Sequence, residues 1–296
     1  MEEQDMHLDS SFAGTTLRDY KTTVTWRAIM NYAAAVNDPN EAYFNDERPG
    51  GIIAHPMNCA AITWPISERI WEYIEAADFP LELLATQVHF TEHLEFHRFI
   101  RPGDELTIKG CIAAIEPHRA GTHVIIRFAA SDKDGKPVFT EHIGGLMRGV
   151  TCRGEAVGME TVPSVPKVGS EDIQWENTIH IDKLTPFIYD GCTNIYFPIH
   201  TSRQFAHQVG LPDIILQGTA TLAFAVRDIV DREAAGDPER IKTIYCRFTG
   251  MVLPGTNIMV RQIGKTQAGD GSDVFFNVQN SEGQKVINNG YVRIKE

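Results

Sequence analysis

Two stretches of this 296-residue chain repeat each other in order. Ile52-Ile53-Ala54-His55-Pro56 aligns with Ile214-Ile215-Leu216-Gln217-Gly218, and Phe96 to Pro102-Gly103 lies over Phe248 to Pro254-Gly255 without a gap. In the second copy an apolar run follows with helical spacing at Leu222, Ala225, Val226 and Ile229. Strand-like runs come next: 106–115, 122–130 and 137–148 in the first copy, and 241–252, 257–264, 273–278 and 284–294 in the second. Asp132-Lys133-Asp134-Gly135 reads as a hairpin turn, and Asn280-Ser281-Glu282-Gly283 takes its place in the second copy. The expected class is α+β, with two antiparallel sheets, each wrapped round a central helix. Residues 1–152 and 171–296 form the two halves, joined by a linker at 153–170 that has no clear period. One such sheet leaves edges and an apolar face uncovered, so two in tandem are expected to pair.

Local signals refine the first half. Residues 1–22 are polar and read as a loose lead-in. Thr25 is placed to cap a helix with Ile29, Tyr32, Ala33 and Val36 on one face. The run Asn37-Asp38-Pro39-Asn40 is a turn. A second helix is expected near Met57, with Pro56 at its first position and Pro65 ending or kinking it. His89, His93 and His97 alternate on a strand and read as an exposed edge.

Charge and cysteine usage restrict the partners. A net charge of -12 argues against nucleic acid and against an anionic membrane surface. It leaves room for an anionic ligand held by a few cations, for which Arg203, Lys242, Arg247, Arg261 and Lys265 are candidates. No apolar run is long enough to span a bilayer, and the acidic start is unlike a secretory signal. Five scattered cysteines make no C-x-x-C pair, which suits reduced thiols in the cytoplasm, and no His/Cys cluster has zinc spacing, so no metal is expected.

The most informative stretch for chemistry is 194–230. Pro198-Ile199-His200-Thr201 presents an imidazole, and Gln217-Gly218-Thr219 opens the apolar helix. The first turn of a helix leaves backbone N–H groups free, and with the helix dipole they suit an oxyanion. These residues, with Phe205-Ala206, Gly210-Leu211-Pro212 and Ile215-Leu216-Gln217-Gly218-Thr219, resemble the MaoC-like dehydratases and type 2 enoyl-CoA hydratases of the HotDog fold. That family's motif is Asp-x-Asn-Pro-(Leu/Ile)-His, followed by His-Gly before the central helix. Pro198, Ile199 and His200 match it, whereas Ile195 stands at the catalytic Asp, Phe197 at the Asn, and Gln217 at the second His.

The resemblance implies a tandem, or double, HotDog body that reversibly hydrates a 2-enoyl thioester or dehydrates the 3-hydroxyacyl form. The thioester is one of CoA or of an acyl carrier. CoA enters as part of the substrate, with no separate cofactor, and a homodimer is among the expected assemblies. His200 is then the proton-transfer group and Gly218 the amide donor, with Asn194, Gln217 and Arg247 lining the substrate. The first half repeats the motif spacing as Asp38-Pro39-Asn40-Glu41-Ala42-Tyr43, with His55 opposite Gln217. Asp38, Tyr43 and His55, with Asn40 against the substrate, are therefore candidates to replace the missing carboxylate in a composite or second site. Two other readings use the same fold. One is thioester hydrolysis with Asp38 or Glu41 activating water. The other is a degenerate protein that binds acyl thioesters without catalysis.

Overall fold

The structure, a computed structural model, describes residues 6–160 and 162–296. Its first half runs β1 (His7–Asp9), β2 (Thr16–Thr23), α1 (Trp26–Ala35), α2 (Glu41–Phe44), α3 (Asn58–Glu68), α4 (Ile70–Tyr73), β3 (Gln87–Phe96), β4 (Glu105–His118), β5 (Gly121–Ser131) and β6 (Pro137–Arg148). Two short strands follow, β7 (Thr151–Arg153) and β8 (Val157–Gly158). The second half holds β9 (Trp175–Ile181), α5 (Thr185–Thr193), α6 (Arg203–Gln208), α7 (Gly218–Glu233), β10 (Ile241–Phe248), β11 (Thr256–Ala268), β12 (Gly271–Gln279) and β13 (Lys285–Lys295).

The repeat is visible in the strand order. One half reads β2-β4-β5-β6-β3 and the other β9-β11-β12-β13-β10. The two sheets join where β3 pairs antiparallel with β10, Glu95 facing Thr243 and Thr91 facing Arg247. Backbone hydrogen bonds recur at matched places. Ala54 N–H donates to Ile100 O and Leu216 N–H to Val252 O, both at 2.9 Å. Gly103 N–H donates to Val24 O at 2.8 Å and Gly255 N–H to Ile181 O at 2.7 Å. After α1 and α5 the chain turns through a left-handed asparagine, Asn37 (φ 50°) and Asn194 (φ 58°), a conformation that asparagine tolerates better than most residues. The next residue is Asp38 in one half and Ile195 in the other.

Local chemistry explains the helices. Thr25 Oγ1 accepts from Ala28 N–H at 3.1 Å and caps α1, which buries Ile29, Tyr32 and Ala33. Residues of α7 are buried from Thr219 to Val230 except Arg227, as expected of a helix enclosed by a sheet rather than lying on a surface. The chain between the halves touches both sheets. Met159 N–H donates to Ala113 O and Asp172 N–H to Ile263 O, both at 2.9 Å. Val162 packs on Ala113 and Ile125, and Val165 and Val168 pack on Ile263, Phe275 and Tyr291. These valines cover apolar side chains on the outer sheet faces.

Three expectations are corrected. The lead-in at 1–22 contains β1 and most of β2, and β2 pairs with β4; residues 1–5 lie outside the described residues. Helix α3 begins at Asn58 after Met57, and it continues through Pro65 to Glu68 with Ile66 buried beyond the proline. Tertiary packing holds the last turn despite the missing N–H. Strand β3 is not an exposed edge, because β6 flanks it on one side and β10 on the other. An edge within one half becomes interior once the halves join.

Candidate functional site

The structure brings Asp38, Tyr43 and His55 into one buried cluster, with relative exposures of 2%, 0% and 1%. Met57 N–H donates to His55 Nδ1 at 3.1 Å, so the neutral ring carries its proton on Nε2. That nitrogen stands 3.6 Å from Asp38 Oδ2, beyond hydrogen-bond length. Asp38 Oδ2, His55 Nε2 and Tyr43 Oη are all buried without a hydrogen-bond partner. Burial lowers the His55 pKa to about 3 and raises that of Asp38 to about 6, against the pull of Asn40 N–H on the carboxylate. Burial likewise raises Tyr43 well above the ordinary phenol range.

His200 sits in a 3-10 turn, Pro198–His200, and is half-buried. Its Nδ1 lies 2.8 Å from Ile215 O. A carbonyl only accepts, so Nδ1 carries the proton and Nε2 keeps its lone pair. Burial lowers the pKa to about 4, which leaves the ring neutral at neutral pH, with the Nε2 lone pair free to accept a proton. Ile215 lies three residues before Gly218, where α7 begins without a side-chain cap. The first N–H groups of a long buried helix are thus free, beside a segment that holds an imidazole in one tautomer.

The remaining predicted residues take varied places. Asn40 bridges the halves, donating to Gly236 O at 2.7 Å while accepting from Ala42 N–H at 3.0 Å. Asn194 ends α5. Gln217 donates to Pro186 O at 3.1 Å, and its buried Oε1 lacks a partner. The Arg247 guanidinium lies 4.9 Å from the Phe90 ring centre. Arg203, Arg261 and Lys265 pair with Asp213, Glu176 and Glu233. Among the described residues, no hydrogen bond, ion pair or ring contact joins His200 to Asp38, Tyr43 or His55.

A cavity at the seam collects residues from both halves. Its lining includes Thr63 of α3, His89 and Glu92 of β3, Glu141 of β6, and Ile195 and Thr219 of the second half. Glu92 and Glu141 are 0% and 1% exposed. Both Glu92 oxygens and Glu141 Oε2 are buried without an aligned hydrogen-bond partner, although His89 Nε2 stands 3.0 Å from Glu92 Oε2. Both carboxyls line this one cavity, and the charge of Glu92 acts on Glu141. Burial raises Glu92 to about 8, and burial with the neighbouring Glu92 charge raises Glu141 well above the carboxylate range. Burial lowers His89 to about 4. Its ring lies 4.5 Å from that of Phe248, and Phe248 packs against Gly218 at the start of α7.

A polar chain links the two clusters. Tyr32 stacks on His55 at 5.5 Å, its hydroxyl meets that of Tyr189 at 2.8 Å, and Tyr189 donates to Thr219 Oγ1 at 3.0 Å. The sequence reading missed Glu92, Glu141, Thr219 and this tyrosine pair. One signal was present: Glu92 shares its strand face with Leu94 and Phe96, and Glu141 shares its own with Phe139, so each carboxylate falls at an inward register.

The chain is similar to known proteins in both halves. A model described as MaoC like domain matches residues 167–285, and one described as FAS1-like, dehydratase domain region matches residues 11–141. Peroxisomal enoyl-CoA hydratase 2 of Arabidopsis thaliana is 34% identical over 100 residues, 34% of this chain and 31% of that protein. A probable enoyl-CoA hydratase 2 of Dictyostelium discoideum is 27% identical over 65% of each. The chain thus spans less than two thirds of the length of these curated relatives. A crystal structure of a MaoC-like dehydratase from Phytophthora capsici superposes with a TM-score of 0.83 at 22% identity, covering 96% of this chain and 97% of that one.

Proposed function

We propose that the chain, matched by a MaoC like domain over residues 167–285 and by a FAS1-like dehydratase region over residues 11–141, is a double HotDog dehydratase that adds water reversibly to the 2-enoyl thioester of an acyl-CoA. The observation that carries this reading is the state of His200. Its Nδ1–H is committed to the carbonyl of Ile215, three residues before the uncapped start of α7, so Nε2 is left as a base held in one tautomer. In dehydration, Nε2 takes the C2 proton of a 3-hydroxyacyl thioester while the N–H groups at Gly218 and Thr219 hold the carbonyl oxygen as it gains charge. Asp38, Tyr43 and His55 support this site from behind Tyr32, their near-complete burial favouring positioning over contact with the reacting atoms. Gln217 and Asn194 line the corner beside the helix start.

The reaction uses proton transfers alone, with CoA as part of the substrate. We place the protein in the cytoplasm as a homodimer. Free cysteines support a reducing compartment, and exposed apolar side chains such as Leu184, Phe187 and Ile188 support self-association. The test of the activity is incubation with short 2-enoyl-CoA and 3-hydroxyacyl-CoA esters, followed at the enoyl-thioester absorbance and by thiol release. Interconversion of the two esters is expected. Thiol release without interconversion would replace hydration by hydrolysis, and neither signal would leave a binding protein.

A further inference from the structure

The motif position for the catalytic carboxylate holds Ile195, yet Ile195 lines a cavity that contains two other carboxyl groups. Nothing in the packing requires acids there. Glu92 occupies the inward face of the strand at the seam, where Leu94 and Phe96 make ordinary core contacts. Two buried carboxyls lining one cavity destabilise a core unless at least one stays protonated, and even then Glu92 lacks an aligned partner for either oxygen. The cavity is about 30 Å³, room enough for an ordered water. Across it stands Thr219, in the first turn of α7, where the proposed thioester oxygen would sit. The first half therefore supplies acid–base groups at the place where the second half lacks one.

We propose that Glu92 and Glu141, flanked by His89, form the water-handling side of the site and take the part of the absent motif carboxylate. The proposal rests on the hydratase reading above and adds to it the groups that act at C3. In dehydration His200 Nε2 takes the C2 proton and the C2–H electron pair becomes the C2=C3 bond. The C3–O bond breaks with its pair on oxygen, and the Glu92–Glu141 pair gives that oxygen a proton, so water leaves into the cavity. The proton on His200 then returns to the carboxyl pair through solvent, and the balance is one water lost. Hydration runs the same steps backwards, with a carboxylate of the pair taking a proton from water as oxygen bonds to C3. His89 is a positioning residue: its ring lies between the pair and Phe248, and its Nε2 also contacts Thr91 O at 3.2 Å.

The test separates the two ends of the reaction. Glu92→Gln and Glu141→Gln keep shape and remove the transferable proton. The first assay is hydration of 2-butenoyl-CoA. The second is exchange of the C2 protons of saturated butanoyl-CoA in D2O, which needs the base and the oxyanion site but has no hydroxyl to protonate. Each variant is expected to lose hydration by roughly two to four powers of ten, chiefly in kcat, and to keep exchange within about threefold of the unmodified enzyme, a bound set well below that loss. Hydration near the unmodified rate in both variants would remove the pair from the chemistry. Joint loss of hydration and exchange would also overturn the assignment, since it marks a structural defect. An unmodified protein that neither hydrates nor exchanges would end the hydratase reading itself, a result distinct from either variant outcome.

Discussion

One backbone carbonyl fixes the tautomer of His200, and that makes its removal a clean test of the proposed base. His200→Ala deletes the bond to Ile215 O, worth about 1 kcal/mol net. The fold should survive. Turnover should fall by roughly two to four powers of ten, the usual weight of a general base. Steady-state kinetics beside a thermal melt checks both, and near-normal turnover in a folded variant would exclude His200. This residue was legible because Pro198-Ile199-His200 is a local motif, readable without knowing any contact. Glu92 was not. Its neighbours in sequence are Thr91 and His93, and only the pairing of β3 with β10 turns a polar-looking strand into the seam of the molecule. Asp38 lies between these cases: its spacing could be read, but its enclosure beside His55 and Tyr43 follows from tertiary packing.

Helix α7 shows what an element contributes beyond its residues. It begins at Gly218 with no side-chain cap, and a Cβ built on Gly218 would lie 3.2 Å from the Phe248 ring. Glycine there lets the ring close over the first turn. Gly218→Ala should leave stability nearly unchanged, because alanine's better helix propensity, about 1 kcal/mol, offsets the crowding. The ring and the first N–H groups would shift by a few tenths of an ångström. Turnover should then fall about ten- to a hundredfold, less than outright loss of an oxyanion donor. A variant with full turnover, or one that fails to fold, would contradict this picture. The start of α7 was readable from Gly218 and the spacing after it, as were β6 and the hairpin before it. At two places local propensity yielded to contacts made elsewhere in the chain: β2 pairs with β4, and α3 passes Pro65 to bury Ile66 rather than ending there.

The whole molecule is two copies of one plan whose polar interiors have diverged. Matched residues Tyr32 and Tyr189 meet at the junction, while Glu92 and Glu141 occur in the first half alone among the pair's cavity-lining groups. That asymmetry should appear in global stability. His89 Nε2 stands 3.0 Å from Glu92, and the charge of Glu92 acts on Glu141, Cys59, Cys246, Tyr32 and Tyr189. His55, His89, His93 and His200 have folded pKa values of about 3 to 4, below the unfolded value of 6.5. They add stability as pH rises towards 6.5 and nothing further above it. Asp38 acts in the opposite direction, but its folded pKa of about 6 ends its effect near there. Glu92 ionises at about 4.5 when unfolded and about 8 when folded, so the unfolded chain releases this proton first. Stability should therefore fall between pH 6.5 and 8, with Glu92 contributing up to about 1.4 kcal/mol per pH unit. Glu141 acts in the same sense, its folded pKa being raised too. Urea midpoints across that window should decline in the unmodified protein and decline less in Glu92→Gln. Equal slopes would mean that Glu92 is already ionised in the folded state at pH 6.5, and a carboxylate in that state could not protonate a departing hydroxyl.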